Sequence, residues 1–232
     1  MNYTVVALYK FFSVEDVHSL VDEVSSFLLN NGIKGTILVA NEGLNGTVCG
    51  SEMAMQNFCD FVALKVGNDD LSLQIFESDF IPFKKTKVRV KKEIVTIKKE
   101  LKSDAGEYID ANDWDNFLQE KKPILIDTRN QYEFDIGTFE GAISPETNFF
   151  SEFDSWFVKN FANTDKETPI AMFCTGGIRC EKSTKLVKDY GFKNVYHLKR
   201  GILGYLKKTK NINGKWRGTC YVFDDRFSVV DC

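Results

Sequence analysis

The sequence predicts two α/β domains in tandem: a small α+β sandwich over residues 1–92 and a parallel-sheet domain over residues 110–210. Three observations carry this. Strand-like and helix-like stretches follow the order β-α-β-β-α-β from Tyr3 to Glu77, which is that of a ferredoxin-like sandwich. From residue 110 onward, short apolar strands alternate with helical segments, which implies a parallel sheet with helices on both faces. The apolar run Pro169–Phe173 then ends at Cys174 and passes through Thr175, Gly176 and Gly177 into helical spacing. A cysteine at the carboxyl end of a strand, facing the amino end of a helix, occupies the crevice where α/β sheets bind ligands. Residues 93–109 read as a linker and 211–232 as a C-terminal tail.

In the first domain, residues 3–12 alternate as a strand. Ser13 reads as an N-cap with Asp16 in the first turn, opening a helix through Val17, Leu20, Val24 and Leu28 that ends at Asn31-Gly32. Ile33–Ala40 is a β-branched strand, and Asn41–Gly46 is a glycine and asparagine turn. Another strand begins at Thr47. Gly50-Ser51 then caps a second helix through Met55, Phe58 and Val62, and Leu71–Glu77 closes the sandwich.

A basic stretch follows, Lys84-Lys85-Thr86-Lys87-Val88-Arg89-Val90-Lys91-Lys92. Alternation predicts a strand that buries both valines and presents Lys87, Arg89 and Lys91 on one face. Such a stripe suits contact with backbone phosphates. The competing reading is a solvated edge strand whose lysines guard against aggregation.

In the second domain, Asp104–Glu107 leads in, and Asp110 or Asn112 caps a helix through Trp114, Phe117 and Leu118. Pro123–Ile126 is a buried strand ending at Asp127, Phe149–Phe161 a helix, Pro169–Phe173 the central strand and Val195–Leu198 another. Backbone N–H groups of the loop from Thr175 through Gly176, Gly177 and Ile178 to Arg179 have no ladder partner and can turn inward around the Cys174 sulfur. The helix start and the Arg179 guanidinium add positive charge. Surroundings of this kind bring thiol pKa values down to ~3.5–7.5. Four residues separate Cys174 from Arg179, one fewer than in the phosphatase loop Cys-x5-Arg. The smaller ring suits a sulfur atom carried on the cysteine better than a phosphate. A Cys174 entombed in the core would contradict this reading. Cys180 reads as a packed thiol with a resolving role as the alternative, and His197 as a packed strand histidine.

The whole-chain balance narrows the function classes. A net charge of −3 over 232 residues excludes a globally basic nucleic-acid binder, so RNA contact has to come from a local patch. No run approaches the ~20 apolar residues of a membrane span, and Met1–Lys10 has neither a basic leader nor a small-residue cleavage site. Six cysteines without a Cys-x-x-Cys pair, and only two histidines, His18 and His197, point to a reduced cytoplasmic protein with no metal site and no evident cofactor.

The loop Cys174–Arg179 resembles the active loop of a rhodanese domain. Asp127-Thr128-Arg129-Asn130-Gln131-Tyr132-Glu133, with Gly137 and Gly141-Ala142, resembles a second rhodanese signature. More narrowly, Cys-Thr-Gly-Gly-Ile-Arg-Cys-Glu-Lys-Ser over 174–183 is similar to the bacterial tRNA uridine hydroxylases, rhodanese-containing proteins that convert wobble uridine (U34) to 5-hydroxyuridine. Glu42–Gly46, Val88–Thr96 and Trp216–Arg226 are similar to further stretches of that family. Many members continue with more cysteine pairs, whereas this sequence ends at Cys232, as a short or truncated member would. Related proteins usually carry Gly-Gly at positions 200 and 201, so Arg200 departs from the pattern.

The resemblance implies a rhodanese-like second domain and a tRNA-modifying oxidoreductase that uses molecular oxygen as co-substrate. It implies Cys174 as the essential cysteine, able to carry a persulfide, with Arg179 beside it. Asp127, Arg129, Glu133 and Cys180 would be supporting residues, and Lys87, Arg89, Lys91 and Lys92 would contact tRNA. Two rivals remain open: a sulfurtransferase that passes persulfide sulfur to a thiol or tRNA base, and a non-catalytic adaptor.

Overall fold

The computed structural model describes residues 2–69, 71–212 and 214–229. Two compact units emerge: the first runs to Thr96 and takes in Phe223–Arg226, and the second covers Ile97–Val222 and resumes at Phe227. No helix among the described residues is long and apolar enough to cross a membrane.

The first unit comprises β1 (Tyr3–Phe11), α1 (Val17–Asn30), β2 (Lys34–Ala40), β3 (Gly43–Gly50), α2 (Glu52–Val66), β4 (Ser72–Ser78) and β5 (Thr86–Val90). The sheet order is β4-β1-β3-β2-β5, antiparallel except for β5, which runs parallel to β2. Val6, Leu8, Ile37, Val39 and Val48 from the strands meet Val24, Leu28, Phe58 and Val62 from the helices in one core. Burial of that apolar area at ~25 cal/mol per Å² is the main stabilising term. Lys10 is buried at a helix end: its Nζ donates to the Val66 and Gly67 carbonyls at 2.5 and 3.0 Å. There it satisfies orphan carbonyls and complements the negative end of α2.

Several local expectations change. Asp16, not Ser13, caps α1: it is extended, and its Oδ1 accepts the Ser19 N–H at 2.9 Å. The Glu42–Gly46 stretch is mostly strand, with only its first residue in a turn. A Cβ on Gly43 would lie 2.0 Å from the Lys10 carbonyl oxygen, and one on Gly46 would lie 2.2 Å from that of Thr36, so glycine is what lets three strands close here. Glu42 accepts the Ile94 N–H at 2.8 Å, and Asn45 donates to the Ile94 carbonyl at 3.0 Å. The motif therefore anchors the segment after β5. In β5, Val88 packs against the core while Val90 stays 47% exposed. An edge strand has a neighbour on one side only, and cover runs out at its end.

The second unit contains β6 (Glu107–Ile109), α3 (Trp114–Lys121), β7 (Ile124–Asp127), α4 (Gln131–Phe134), β8 (Gly137–Phe139), α5 (Phe153–Phe161), β9 (Ile170–Phe173), α6 (Ile178–Asp189), β10 (Val195–Leu198), α7 (Gly201–Thr209), β11 (Trp216–Gly218), β12 (Cys220–Tyr221) and β13 (Ser228–Val229). Its main sheet is fully parallel in the order β6-β10-β9-β7. The stretch expected as a linker is thus ordered at both ends, through Ile94 and through β6. The expected tail also folds in, with β11 pairing against β8. Around Phe139, the rings of Phe173, Tyr205 and Trp216 meet edge-on at 4.9, 4.8 and 5.2 Å, geometry that adds to simple burial.

Candidate active site

All four residues of β9 are buried, which fits a central strand covered on both faces. The strand delivers Cys174 to its carboxyl end. Gly177, at φ 104°, occupies the N-cap of α6 in a left-handed conformation that glycine adopts without strain. This turns the loop back over the sulfur. The Gly177 N–H donates to Cys174 Sγ at 3.1 Å, and the amides of Arg179 and Cys180 and the Cys180 thiol also hydrogen-bond to that sulfur. Of the loop amides expected to turn inward, those of Gly177 and Arg179 reach the sulfur, joined by the amide and thiol of Cys180.

Cys174 is only 1% exposed, so the sulfur does not stand open at the sheet edge. It is buried in the core, against the open position expected, with hydrogen-bond donors of Gly177, Arg179 and Cys180 set against it. Burial alone would push the thiol pKa up. The Cys180 thiol, the Arg179 guanidinium and the two amides outweigh burial and bring it down to about 6. Cys180 moves the other way: burial and the adjacent Cys174 sulfur raise its pKa well above the ordinary thiol value.

Arg179 is clamped rather than open to an incoming anion. Its Nη1 and Nη2 donate to the two Glu133 oxygens at 2.7 and 2.8 Å, and Nη2 also reaches Thr175 Oγ1 at 3.1 Å. The Thr175 hydroxyl donates to the same carboxylate at 3.1 Å. Glu133 is fully buried and also accepts the Asn130 N–H at 3.1 Å in a capping box that starts α4. Burial would raise its pKa, but Arg179 holds it below the usual carboxylate range. Beside it, Tyr132 is 43% exposed and meets Tyr221 edge-on at 5.1 Å.

Asp127 and Arg129, both fully buried, close on each other through bonds of 2.9 and 2.6 Å. Thr138 and the Gly137 carbonyl complete that group, and Trp216 lies over the guanidinium at 5.4 Å. This pair joins β7 to β8 rather than touching the sulfur. His197 is a buried residue of β10 whose ring lies 4.2 Å from that of Tyr108. Burial lowers its pKa to about 4.

Two contributors were not evident in the sequence. Thr128, the variable position between Asp127 and Arg129, donates to the Phe173 carbonyl at 3.0 Å and lies 3.7 Å from Cys180 Sγ. Gly201, at the start of α7, sits where a Cβ would be 2.3 Å from the Cys174 carbonyl oxygen. The next two amides, Ile202 and Leu203, donate to the carbonyls of Cys174 and Thr175 at 2.9 and 3.0 Å. The family pattern of paired glycines at 200–201 was the available signal. Arg200 itself has φ 62°, the conformation for which glycine is the easy choice.

The structure therefore gathers Cys174, Thr175, Gly177, Arg179, Cys180 and Glu133 in the second unit. Gly176 and Ile178 complete the same loop. Lys87, Arg89, Lys91 and Lys92 lie exposed on and just after β5 in the first unit. No cluster of metal-ligating side chains occurs among the described residues.

Residues 3–94 match the family model of the UPF0176 acylphosphatase like domain, and residues 110–208 match that of the rhodanese-like domain. Among curated proteins, the tRNA uridine(34) hydroxylase of Rickettsia akari (strain Hartford) is 46% identical over 230 residues, covering 98% of this chain and 93% of that protein. The protein of the same name from Ehrlichia ruminantium (strain Welgevonden) is 44% identical over 234 residues, covering 100% and 86%. Among solved structures, the rhodanese-like domain of an Anabaena protein aligns with a TM-score of 0.38 at 20% identity, over 48% of this chain and 78% of that one.

Proposed function

Because this chain belongs to the tRNA uridine(34) hydroxylase family, we propose that it hydroxylates uridine 34 of tRNA to 5-hydroxyuridine, with Cys174 as the reactive atom and dioxygen as co-substrate. The observation that supports the assignment to Cys174 is the set of three backbone amides, a thiol and a nearby guanidinium around its sulfur, which favours the thiolate. A thiolate is the nucleophilic and redox-active form of cysteine. Arg179 supplies the cation, and Glu133 holds that cation in place, which makes Glu133 a positioning residue. Asp127 and Arg129 act further back, fixing the loops through their own ion pair.

Coverage of the sulfur shapes the chemistry. With Cys174 1% exposed, a small reagent reaches it more readily than a nucleobase does. The base meets either an atom carried outward on the sulfur or a loop that has shifted. Tyr132, half-exposed beside Glu133, offers a ring on which an unstacked base can lie. Lys87, Arg89, Lys91 and Lys92 supply phosphate contacts, the local patch that a chain with net charge −3 needs to hold RNA. A cytoplasmic location accords with a tRNA substrate and unbridged cysteines.

The same thiolate would also serve sulfur transfer through a persulfide, so product identity decides between the two. Nucleoside mass spectrometry is applied to tRNA from cells lacking the protein, rescued with wild type or with Cys174→Ala. Restoration of 5-hydroxyuridine derivatives by wild type alone is expected. Loss and restoration of a thiolated nucleoside instead would overturn the hydroxylase reading. Full rescue by Cys174→Ala would overturn the assignment of the sulfur.

A further inference from the structure

Cys180, expected mainly to pack, occupies a position that packing alone does not require. It lies in the first turn of α6, and both its amide and its thiol are turned onto the Cys174 sulfur. On its other side is the Thr128 hydroxyl at 3.7 Å. Both cysteines are covered, at 1% and 0% exposure. Once oxidised, Cys174 would be shielded from outside thiols, and the nearest reductant would be Cys180. Neither cysteine is bridged here.

Hydroxylation by dioxygen sets an electron requirement. Inserting one oxygen atom into a C–H bond takes up two of the four electrons that dioxygen needs, and the other two have to come from elsewhere. We propose that Cys180 is a second redox residue of this reaction: Cys174 and Cys180 together give up those two electrons and close into an intramolecular disulfide. The inference rests on the hydroxylase reading above. The step balances as uridine plus dioxygen plus one thiolate, one thiol and a proton giving 5-hydroxyuridine, water and one disulfide. The O–O bond breaks, and one oxygen enters the C–H bond. The other leaves as water with the Cys180 thiol hydrogen and one proton from solvent, and an S–S bond forms. Both sulfurs being covered, a small external dithiol restores the pair by exchange only once the glycine loop has opened.

The two sulfurs differ as such a couple needs: a thiolate at Cys174 and a protonated thiol at Cys180 that holds its hydrogen for the water formed. They start in hydrogen-bond contact and have to close to the ~2.05 Å of a disulfide. Cys174 stands at a strand end and Cys180 on a helix, so closure asks the short glycine loop, rather than the sheet, to adjust.

The test uses the full chain, reduced and then freed of thiols, mixed in air with a tRNA carrying unmodified uridine at position 34. Product is counted per enzyme, and the cysteines are mapped by differential alkylation and peptide mass spectrometry. Expected is one 5-hydroxyuridine for each Cys174–Cys180 disulfide, with no further product until a dithiol is added. Cys180→Ser, confirmed as folded by a cooperative thermal melt, is expected to lose about tenfold or more in turnover with dithiol present. Product formed while both cysteines remain reduced would overturn the proposal, as would wild-type turnover by Cys180→Ser. Absence of 5-hydroxyuridine from the wild-type enzyme would instead remove the hydroxylase reading, and this inference with it.

Discussion

Glu133 and Arg179 meet as a buried two-pronged pair, with N–O distances of 2.7 and 2.8 Å and a fully buried carboxylate. Such a pair is weak evidence for net stability, but breaking it strands a charge in a dry site. Glu133→Gln keeps the shape and removes the charge. We expect it to destabilise the second unit by about 3–5 kcal/mol, as read from denaturant unfolding. A loss well under 1 kcal/mol would mean that water replaces the carboxylate.

The thiol chemistry gives a pH signature. Cys174 falls from an ordinary 9.0 to about 6 in the folded chain, so alkylation at this site should rise through pH 6 and be flat well before a free thiol reaches its plateau. A lowered folded pKa contributes stability that is complete above the unfolded pKa and disappears as pH falls through the folded one. The stability gap between wild type and Cys174→Ser should therefore shrink as pH drops from 9 toward 6. Arg179→Gln removes the cation and should move the alkylation midpoint upward. A midpoint unchanged by that substitution would remove Arg179 from the account.

Gly201 and Arg200 are adjacent and should respond oppositely. Gly201→Ala drives a methyl toward the Cys174 carbonyl and should cost about 1–3 kcal/mol, as overpacking does, together with a slower Cys174 alkylation. Arg200→Gly relieves a left-handed residue and should gain up to ~1 kcal/mol. Thermal melts of both variants check this, and a stabilised Gly201→Ala would contradict the contact.

For the first unit, changing Lys87, Arg89 and Lys91 together to Gln should weaken tRNA binding across sequences. It should also flatten the log–log salt dependence by about one unit per lost phosphate contact. Filter binding over a salt series measures this. Unchanged slope and affinity would leave β5 as a guarded sheet edge and nothing more.

How far these features could be read in advance depended on how local their causes were. The cradle around Cys174 was legible because a strand end, two glycines and an arginine at fixed spacing sit within a few residues of one another. The β-α-β-β-α-β order was legible from periodicity. Gly43 misled because a stretch holding two glycines and two asparagines signals a turn, whereas here the glycine permits close approach of Lys10, a partner far away in sequence. Ser13 and Asp16 are both good caps, and only the chain direction at each decides between them. Thr128 was hidden because it is the unspecified position of its motif. The role of Gly201 was hidden because its partner carbonyls lie more than a helix away along the chain.

The α7 docking carries a consequence for regulation by temperature or truncation. The start of the loop that carries the sulfur is fixed from behind, since the Ile202 and Leu203 amides donate to the carbonyls of Cys174 and Thr175. The setting of that sulfur is thereby tied to the fraying of α7. Loosen that helix, and the cysteine drifts back toward an ordinary thiol before the sheet beneath it has melted at all.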